Sequence, residues 1–254
     1  MQTMNWVLDL DGVVWLAETP IPGAADAVRR LQAGGEAVVF VTNNSQPTEA
    51  EYEAKLEQHG IDGRGAIITS AMAAAALIAP GERVLVCGGP GVVEALQKRG
   101  AAIIEADQPD VVVVGFHRDF NYERMRIAAT AVRGGARLVA TNDDATYPTP
   151  EGLIPGAGAI LASIERASGV RAIVAGKPHE PMADIVRARL GDREGIVVGD
   201  RPDTDGELAR RLGYRFALVL TGVISPDQAA SVEPSPDEVA PDLVALVDRY
   251  CSSR

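Results

Sequence analysis

Two carboxylates, one residue apart, follow the first apolar stretch of the chain. Asn5–Leu8 is short and largely apolar, which predicts a buried strand, and Asp9 and Asp11 come directly after it. Side chains at positions i and i+2 of an extended segment point the same way, so both carboxylates are expected to face one spot. Because adjacent buried carboxylates repel, the pair favours a hard divalent cation, although an Asp-rich turn ended by Gly12 explains these residues equally well.

Polar side chains also follow three other predicted apolar strands. In an open parallel sheet, ligands bind beyond the carboxyl ends of the strands, so groups at these ends are expected to meet in one crevice. The three further sets are Thr42, Asn43, Asn44 and Ser45 after Ala37–Val41, Lys177 after Arg171–Ala175, and Asp200, Asp203 and Asp205 after Gly195–Gly199.

These polar groups together fit phosphoryl transfer. Four aspartates (Asp9, Asp11, Asp200 and Asp205) bring too much negative charge for one crevice without a cation, and Mg²⁺ suits few carboxylates plus phosphate oxygens. The Thr42 hydroxyl and the N–H groups after it can donate to a phosphate, and Lys177 can neutralise it. One carboxylate can attack phosphorus, and a second can protonate the leaving alkoxide and then activate water.

The composition limits the classes of partner. The chain has 254 residues, is 46% hydrophobic and carries a formal net charge of −11. Such negative charge argues against nucleic acid or an anionic membrane as a partner. The two cysteines suggest neither a metal site nor a disulfide framework, and no signal peptide or membrane-spanning run is expected, so a cytoplasmic location is predicted.

Amphipathic helices alternate with short apolar strands along the chain. This alternation predicts an α/β fold with mostly parallel sheets, and about nine strands favour two sheets over one. We therefore predict a discontinuous core domain at 1–80 and 175–254, with a smaller α/β domain inserted at 81–174. Pro234-Ser235-Pro236 predicts a loop before a closing helix at Asp242–Tyr250.

Four motifs in order resemble those of the haloacid dehalogenase superfamily, and its class IIA, p-nitrophenyl-phosphatase-like subgroup fits best. They are Asp-Leu-Asp-Gly-Val at 9–13, Val-Thr-Asn-Asn-Ser at 41–45, Gly-Lys-Pro at 176–178 and Gly-Asp-Arg-Pro-Asp-Thr-Asp at 199–205. Further matches at 114–122, 140–144 and 155–158 extend the resemblance over nearly the whole chain. It implies a Rossmann-like core with an inserted α/β cap between the threonine and lysine motifs.

The resemblance also implies the role of each motif residue. Asp9 is expected to be the nucleophile and a Mg²⁺ ligand, and Asp11 the general acid and base, with its backbone carbonyl on the metal. Asp200 would be the third protein ligand of the metal. Asp205 would lie next to these ligands without binding the metal itself. Thr42 and the Asn43 amide would bind phosphate, and Lys177 would balance the charge on Asp9 and the phosphate.

Five further residues are candidates for substrate contact: Asn44, Asn142, Asp143, His117 and His179. Each also has a structural interpretation, since Asn44 could hold its loop, Asn142 and Asp143 could form a turn, and the histidines show no metal-ligand spacing. Gly88-Gly89-Pro90-Gly91 predicts a strand–turn–helix, because a dinucleotide-binding motif would need glycine where Glu94 stands.

The motifs predict a Mg²⁺-dependent phosphatase acting on a small phosphate monoester, such as a sugar, glycerol, glycolate or nucleotide phosphate. A phosphotransferase or phosphomutase shares the first motif, and a non-catalytic protein that binds phosphate metabolites is the alternative from another class. Similar proteins often form dimers through the cap, so a homodimer is a further expectation.

Overall fold

The computed structural model describes residues 3–16, 18–105, 108–149, 152–229, 231–232 and 235–252. The strands within these residues are β1 (Asn5–Leu8), β2 (Trp15–Leu16), β3 (Thr19–Pro20), β4 (Ala37–Thr42), β5 (Ile67–Thr69), β6 (Arg83–Cys87), β7 (Ala102–Ile104), β8 (Val111–Val114), β9 (Arg137–Ala140), β10 (Thr146–Thr149), β11 (Gly152–Pro155), β12 (Ile173–Val174), β13 (Gly195–Gly199), β14 (Arg215–Val219) and β15 (Glu238–Ala240).

Most connections between the strands are helical. The α-helices are α1 (Ala24–Ala33), α2 (Glu49–Gln58), α3 (Ser70–Ala76), α4 (Pro90–Arg99), α5 (Tyr122–Arg133), α6 (Ala157–Ser168), α7 (Glu180–Leu190), α8 (Glu207–Leu212), α9 (Pro226–Ala229) and α10 (Leu243–Ser252), and one π-helical turn covers Pro202–Gly206. No helix in the described part of the chain combines the length and apolarity needed to cross a membrane.

The chain forms two compact units, and the first contains a six-stranded sheet. This unit comprises Met1–Thr42, Tyr52–Ile68 and Ala183–Arg254. The strand order is β15-β14-β13-β1-β4-β5, and β1 pairs in parallel with both β13 and β4. From β1 the chain builds the sheet towards β5, and from β13 it builds the other way towards β15. The order therefore reverses between β1 and β13, where an open α/β sheet forms its ligand crevice.

The core of the first unit explains why β1 is fully buried. All four residues of β1 are buried, as are all five of β13, because helices cover both faces of a parallel sheet. Trp6 and Leu8 belong to one apolar cluster with Leu31 of α1 and Leu246 of α10. This packing fixes the strand that carries Asp9 at its end.

The second unit contains a five-stranded parallel sheet. It comprises Asn43–Glu51 and Thr69–Met182, and its strand order is β12-β9-β8-β6-β7. Its central strand β8 is four valines, all buried. A separate antiparallel hairpin pairs β10 with β11. The strands of this sheet all come from residues 83–174; the unit itself is wider than the predicted insertion at 81–174 and includes Asn43–Glu51.

The structure confirms the α/β class, and its described residues form two large sheets and two two-stranded hairpins, β2–β3 and β10–β11. The bounds of several predicted strands and helices agree closely with the structure. The closing helix, predicted at Asp242–Tyr250, is α10 at Leu243–Ser252, so only its ends differ. Of the predicted loop at 234–236, Pro234 lies outside the described residues. The strand–turn–helix predicted at Gly88–Gly91 is confirmed: Gly88 and Gly89 follow β6, and Pro90 and Gly91 begin α4. A Cβ on Gly91 would collide with the carbonyls of Ser45 and Pro47, so close backbone approach requires this glycine.

Helix α2 begins with a reciprocal hydrogen-bonded cap. The Thr48 N–H donates to Glu51 Oε2 at 2.7 Å, and the Glu51 N–H donates to Thr48 Oγ1 at 3.2 Å. These bonds satisfy two donors that a helix N-terminus otherwise leaves without a partner. The Thr48 hydroxyl also donates to Glu51 Oε2, at 2.9 Å. The Thr48 N–H and this hydroxyl lower the pKa of the Glu51 carboxyl, so the contribution of its charged form to stability is present above the ordinary glutamate pKa and is lost as the pH falls below it.

Replacing the capping hydroxyl tests this arrangement. Thr48→Ala should lower the free energy of unfolding by about 1 kcal/mol, because one donor at the start of α2 loses its acceptor. Urea unfolding at pH 7 measures the difference. The exposed Thr130→Ala in α5 is the control, and equal stability of Thr48→Ala and wild type would show that the cap contributes nothing.

Candidate active site

Three buried carboxylates converge beyond the carboxyl ends of the two central strands of the six-stranded sheet. Asp9 follows β1 and Asp200 follows β13, and the register pairs Leu8 with Val198, so both residues leave the sheet at the same edge. One carboxylate oxygen from each of Asp9, Asp200 and Asp205 lies within 4.8 Å of the others. This donor set is all oxygen and all negatively charged, which is what a hard divalent cation requires.

Glycines make room for the Asp200 carboxylate. A Cβ on Gly12 would lie 2.6 Å from Asp200 Cγ, and a Cβ on Gly222 would overlap the carboxylate itself. Gly12 also has a φ of 83°, in the left-handed region that favours glycine. The Val223 N–H donates to Asp200 Oδ2 at 2.9 Å. The backbone around Asp200 therefore encloses and orients its side chain.

Asp205 is held by the π-helical turn. The Arg201 N–H donates to Asp205 Oδ2 at 3.2 Å, and the side chain is fully buried. A Cβ on Gly199 would collide with the Asp205 carboxylate, so the end of β13 must be glycine for this residue to approach. The carboxylate of Asp205 is one of the three that converge. The resemblance had implied that Asp205 lies next to the metal ligands without binding the metal itself. Its role at the site stays a prediction.

Asp11 and Thr42 lie in the same unit, near the strand ends. Asp11 is half-buried, and its backbone forms an isolated bridge with Trp15. Its carboxylate is outside the group of three, and the role expected for it in metal binding uses its backbone carbonyl. Thr42 is the last residue of β4, next to β1, and is buried. The Asp9 carboxylate is oriented by the Leu10 N–H, which donates to Oδ1 at 2.8 Å.

In the second unit, the Asn43 side chain holds the main chain of Lys177. Asn43 Oδ1 accepts from the Lys177 N–H at 2.7 Å, and Asn43 Nδ2 donates to the Lys177 carbonyl at 3.0 Å. The same Nδ2 donates to Asp144 Oδ2 at 3.1 Å. Lys177 is only 2% exposed. Asn43 therefore positions this lysine, a function of its side chain that sequence reasoning did not anticipate.

The reason predicted for the position of Lys177 is wrong. Its preceding strand, β12, was expected to end at the same crevice as the other motifs, but β12 pairs with β9 in the five-stranded sheet. The strand-end rule for one parallel sheet therefore does not apply to Lys177. Hydrogen bonds to Asn43 fix its backbone instead.

Two other predicted residues support the loops around Asn43. Asn44 Oδ1 accepts from the Gln46 N–H at 3.1 Å, and Asn44 Nδ2 donates to the Tyr147 hydroxyl at 3.3 Å. Asn142 is 3% exposed; its Nδ2 donates to the Asn43 carbonyl at 2.6 Å and its Oδ1 accepts from the Asp144 N–H at 3.1 Å. Substrate contact by either residue stays a prediction.

The remaining candidates form two carboxylate–histidine pairs in the second unit. His179 Nε2 lies 3.4 Å from Asp143, and this hydrogen bond lowers the pKa of the Asp143 carboxyl. His117 is buried, with Nδ1 2.8 Å from Asp119 Oδ1 and Nε2 3.6 Å from Cys87 Sγ. Burial raises the pKa of the Cys87 thiol to about 11, so it is a poor nucleophile at neutral pH.

Two functional candidates were missed from the sequence. Ser70 Oγ donates to the Asn43 carbonyl at 2.5 Å, and Asp144 accepts from the Asn43 side chain. A signal existed for Ser70, because it directly follows the apolar strand β5. Asp144 lies in the 140–144 motif, immediately after residues that were singled out.

The strand order of the parallel sheet reverses next to a cluster of buried aspartates. This combination is typical of an α/β enzyme whose acidic site holds a divalent cation. Comparison with known families agrees with this class. The model of haloacid dehalogenase-like hydrolases matches residues 6–102, and that of HAD-hydrolase-like proteins matches residues 174–246.

Three relatives cover most of the chain. The structure of a glycerol phosphate phosphatase from Mycobacterium tuberculosis in complex with magnesium is 36% identical, with a TM-score of 0.88, over 96% of this chain and 76% of that one. A p-nitrophenyl phosphatase from Archaeoglobus fulgidus is 31% identical, with a TM-score of 0.91, over 98% and 100%. An acid sugar phosphatase from Staphylococcus aureus is 34% identical over 87% of this chain and 88% of its own.

This chain belongs to the haloacid dehalogenase-like hydrolases. The family predicted from the four motifs is therefore confirmed, and the relatives are consistent with its class IIA.

The space around Asp200 gives a test of the cluster. Gly222→Ala should weaken binding of a divalent cation at least about tenfold, because the added Cβ must displace the Asp200 carboxylate. Calorimetric titration with Mg²⁺ measures the affinity. Gly34→Ala is the control, since its Cβ would approach other atoms no closer than 3.3 Å; equal affinities for the two variants would rule out this account of the site.

Proposed function

We propose that this chain is a Mg²⁺-dependent phosphatase that hydrolyses a small phosphate monoester through a phosphorylated Asp9. The observation that carries the proposal is the convergence of Asp9, Asp200 and Asp205 where the strand order reverses. Membership of a hydrolase family supports it, as do the relatives described above: a glycerol phosphate phosphatase, an acid sugar phosphatase and a p-nitrophenyl phosphatase.

The cluster fits Mg²⁺ by its chemistry. Three carboxylates buried together repel one another unless a cation compensates them, and Mg²⁺ prefers oxygen ligands with few carboxylates and additional phosphate oxygens. We assign Asp9 and Asp200 as side-chain ligands and Asp11 as a backbone ligand, with Asp205 in support. The bound cation would neutralise negative charge on the phosphoryl group as it is transferred.

The residues of the chain divide the reaction into two steps. The Asp9 carboxylate attacks phosphorus, and the bond from phosphorus to the leaving oxygen breaks while Asp11 donates a proton to that oxygen. Asp11, now ionised, takes a proton from water, which attacks the phosphorylated Asp9 and releases inorganic phosphate. The Thr42 hydroxyl and Asn43 N–H donate to phosphate oxygens, and the Lys177 ammonium balances their charge.

The proposal also covers the substrate, the cellular location and the oligomeric state of the protein. The glycerol phosphate phosphatase and the acid sugar phosphatase among the relatives favour a glycerol or sugar phosphate over the glycolate and nucleotide phosphates that are also candidates. A cytoplasmic location is supported by the two free cysteines, Cys87 and Cys251, which fit a reducing compartment. A homodimer through residues 81–174 completes the proposal, and light scattering of the purified protein measures its mass.

Hydrolysis of p-nitrophenyl phosphate tests the proposed chemistry. A chelator should abolish it and added Mg²⁺ should restore it, because the three carboxylates then lose and regain their cation. Asp9→Asn should reduce kcat by about 10⁴-fold or more while the protein keeps a cooperative unfolding transition, because the amide cannot form the covalent intermediate. Asp227→Asn, on the exposed helix α9, is the matched control. Turnover by Asp9→Asn, or in excess chelator, would overturn the assignment.

An isotope experiment separates hydrolysis from the alternatives. In H₂¹⁸O, a phosphatase should incorporate one solvent oxygen into each released phosphate. A phosphotransferase or phosphomutase would instead pass the phosphoryl group to a hydroxyl without incorporation, and a non-catalytic protein would release no phosphate.

A further inference from the structure

The main-chain carbonyl of Asn43 accepts two hydrogen bonds from buried side chains. Ser70 Oγ donates at 2.5 Å and Asn142 Nδ2 donates at 2.6 Å. Ser70 is fully buried and Asn142 is 3% exposed. A carbonyl oxygen has two lone pairs, so the two donors together determine its direction.

Fixing this carbonyl fixes the peptide that follows it. The peptide unit is planar, so the carbonyl of Asn43 and the N–H of Asn44 point in opposite directions within one rigid group. The Asn43 N–H, to which phosphate binding is assigned above, lies in the preceding peptide unit. That unit is joined to this one at the Asn43 Cα, so fixing the carbonyl also restricts the direction of the Asn43 N–H. Catalytic donors that are oriented before the substrate binds need no reorganisation during the reaction, which is where their advantage over water arises.

The same residue connects the segment to Lys177. The Asn43 carboxamide hydrogen-bonds to both the N–H and the carbonyl of Lys177. Its Nδ2 also donates to the carboxylate of Asp144. The N–H of Asp144 in turn donates to Asn142 Oδ1. A rotation of Asn43 would therefore disturb both the loop and the lysine. The two donors to its carbonyl are placed to prevent that rotation.

Close packing leaves little room for a substitute donor. A Cβ on Gly176 would lie 2.5 Å from Asn43 Oδ1 and 3.1 Å from Ser70 Cβ. A hydroxyl occupies less volume than a water molecule, so its removal from Ser70 should leave the carbonyl with a dry gap rather than a bridging water. Loss of this donor is thus expected to be felt in full.

We propose that Ser70 and Asn142 are positioning residues for phosphoryl transfer, which orient the Thr42–Asn43 loop and, through Asn43, Lys177. The inference rests on the proposed phosphatase function. It assigns Asn142 to the geometry of the loop rather than to contact with the substrate.

Two variants remove the donors one at a time. Ser70→Ala deletes the hydroxyl, and Asn142→Asp replaces the amide donor with an oxygen while keeping the acceptor for the Asp144 N–H. The control is Ser163→Ala, which removes a hydroxyl of the same unit that donates to the Ile160 carbonyl at 2.7 Å within α6. Each protein is assayed for kcat, KM, melting temperature and the affinity for inorganic phosphate with Mg²⁺, measured by calorimetry.

A positioning role changes catalysis and phosphate affinity beyond any change in stability. Ser70→Ala should lose about tenfold in kcat and in phosphate affinity, the consequence of one buried hydrogen bond, and Asn142→Asp should lose more because two acceptors then face each other. Ser163→Ala should match wild type in both. If Ser70→Ala and Asn142→Asp both keep kcat and phosphate affinity within twofold of wild type, whatever their melting temperatures, the proposal is overturned.

The failure of the proposed function would look different. A wild-type protein that binds phosphate without hydrolysing its esters would remove the phosphatase assignment, while the calorimetric comparison of the variants would still decide the positioning role. A wild-type protein that neither binds phosphate nor hydrolyses its esters would overturn both.

Discussion

Repulsion among three buried carboxylates is the constraint on which the site depends. Asp9, Asp200 and Asp205 are each less than a tenth exposed, and their oxygens converge within 4.8 Å. Water screens this charge weakly at such burial, so a cation or a proton is needed, beside the hydrogen bonds to the carboxylates, to offset their repulsion. Glycines at positions 12, 199 and 222 admit the carboxylates, which shows that the backbone is shaped around the cluster.

The second unit solves a different problem, the placement of a buried lysine. Lys177 carries a positive charge at 2% exposure, and its main chain is held by Asn43 rather than by a strand of the six-stranded sheet. Asn43 is in turn held by Ser70, Asn142 and Asp144. Hydrogen bonds from amide, hydroxyl and carboxylate groups thus set the position of the main chain of Lys177.

Local patterns in the sequence predicted the α/β class, two sheets and the aspartates at the ends of β1 and β13. These features were predictable because each apolar strand and the polar residues that follow it are adjacent in the sequence. The sheet to which β12 belongs could not be read in this way, since two residues of strand do not encode their partner. The bonds between Asn43 and Lys177 join residues 134 positions apart. The two-residue strands β2 and β3 were too short to be found from an apolar pattern.

Thermal unfolding with and without Mg²⁺ tests most directly whether the carboxylate cluster is a cation site. At 100 times the dissociation constant, a bound ion stabilises the folded state by about 2.7 kcal/mol, which raises the melting temperature by roughly 5–10 °C. The account predicts this rise for the wild-type protein and its loss in Asp200→Asn. An unchanged wild-type melting temperature, or an equal rise in Asp200→Asn, would contradict it.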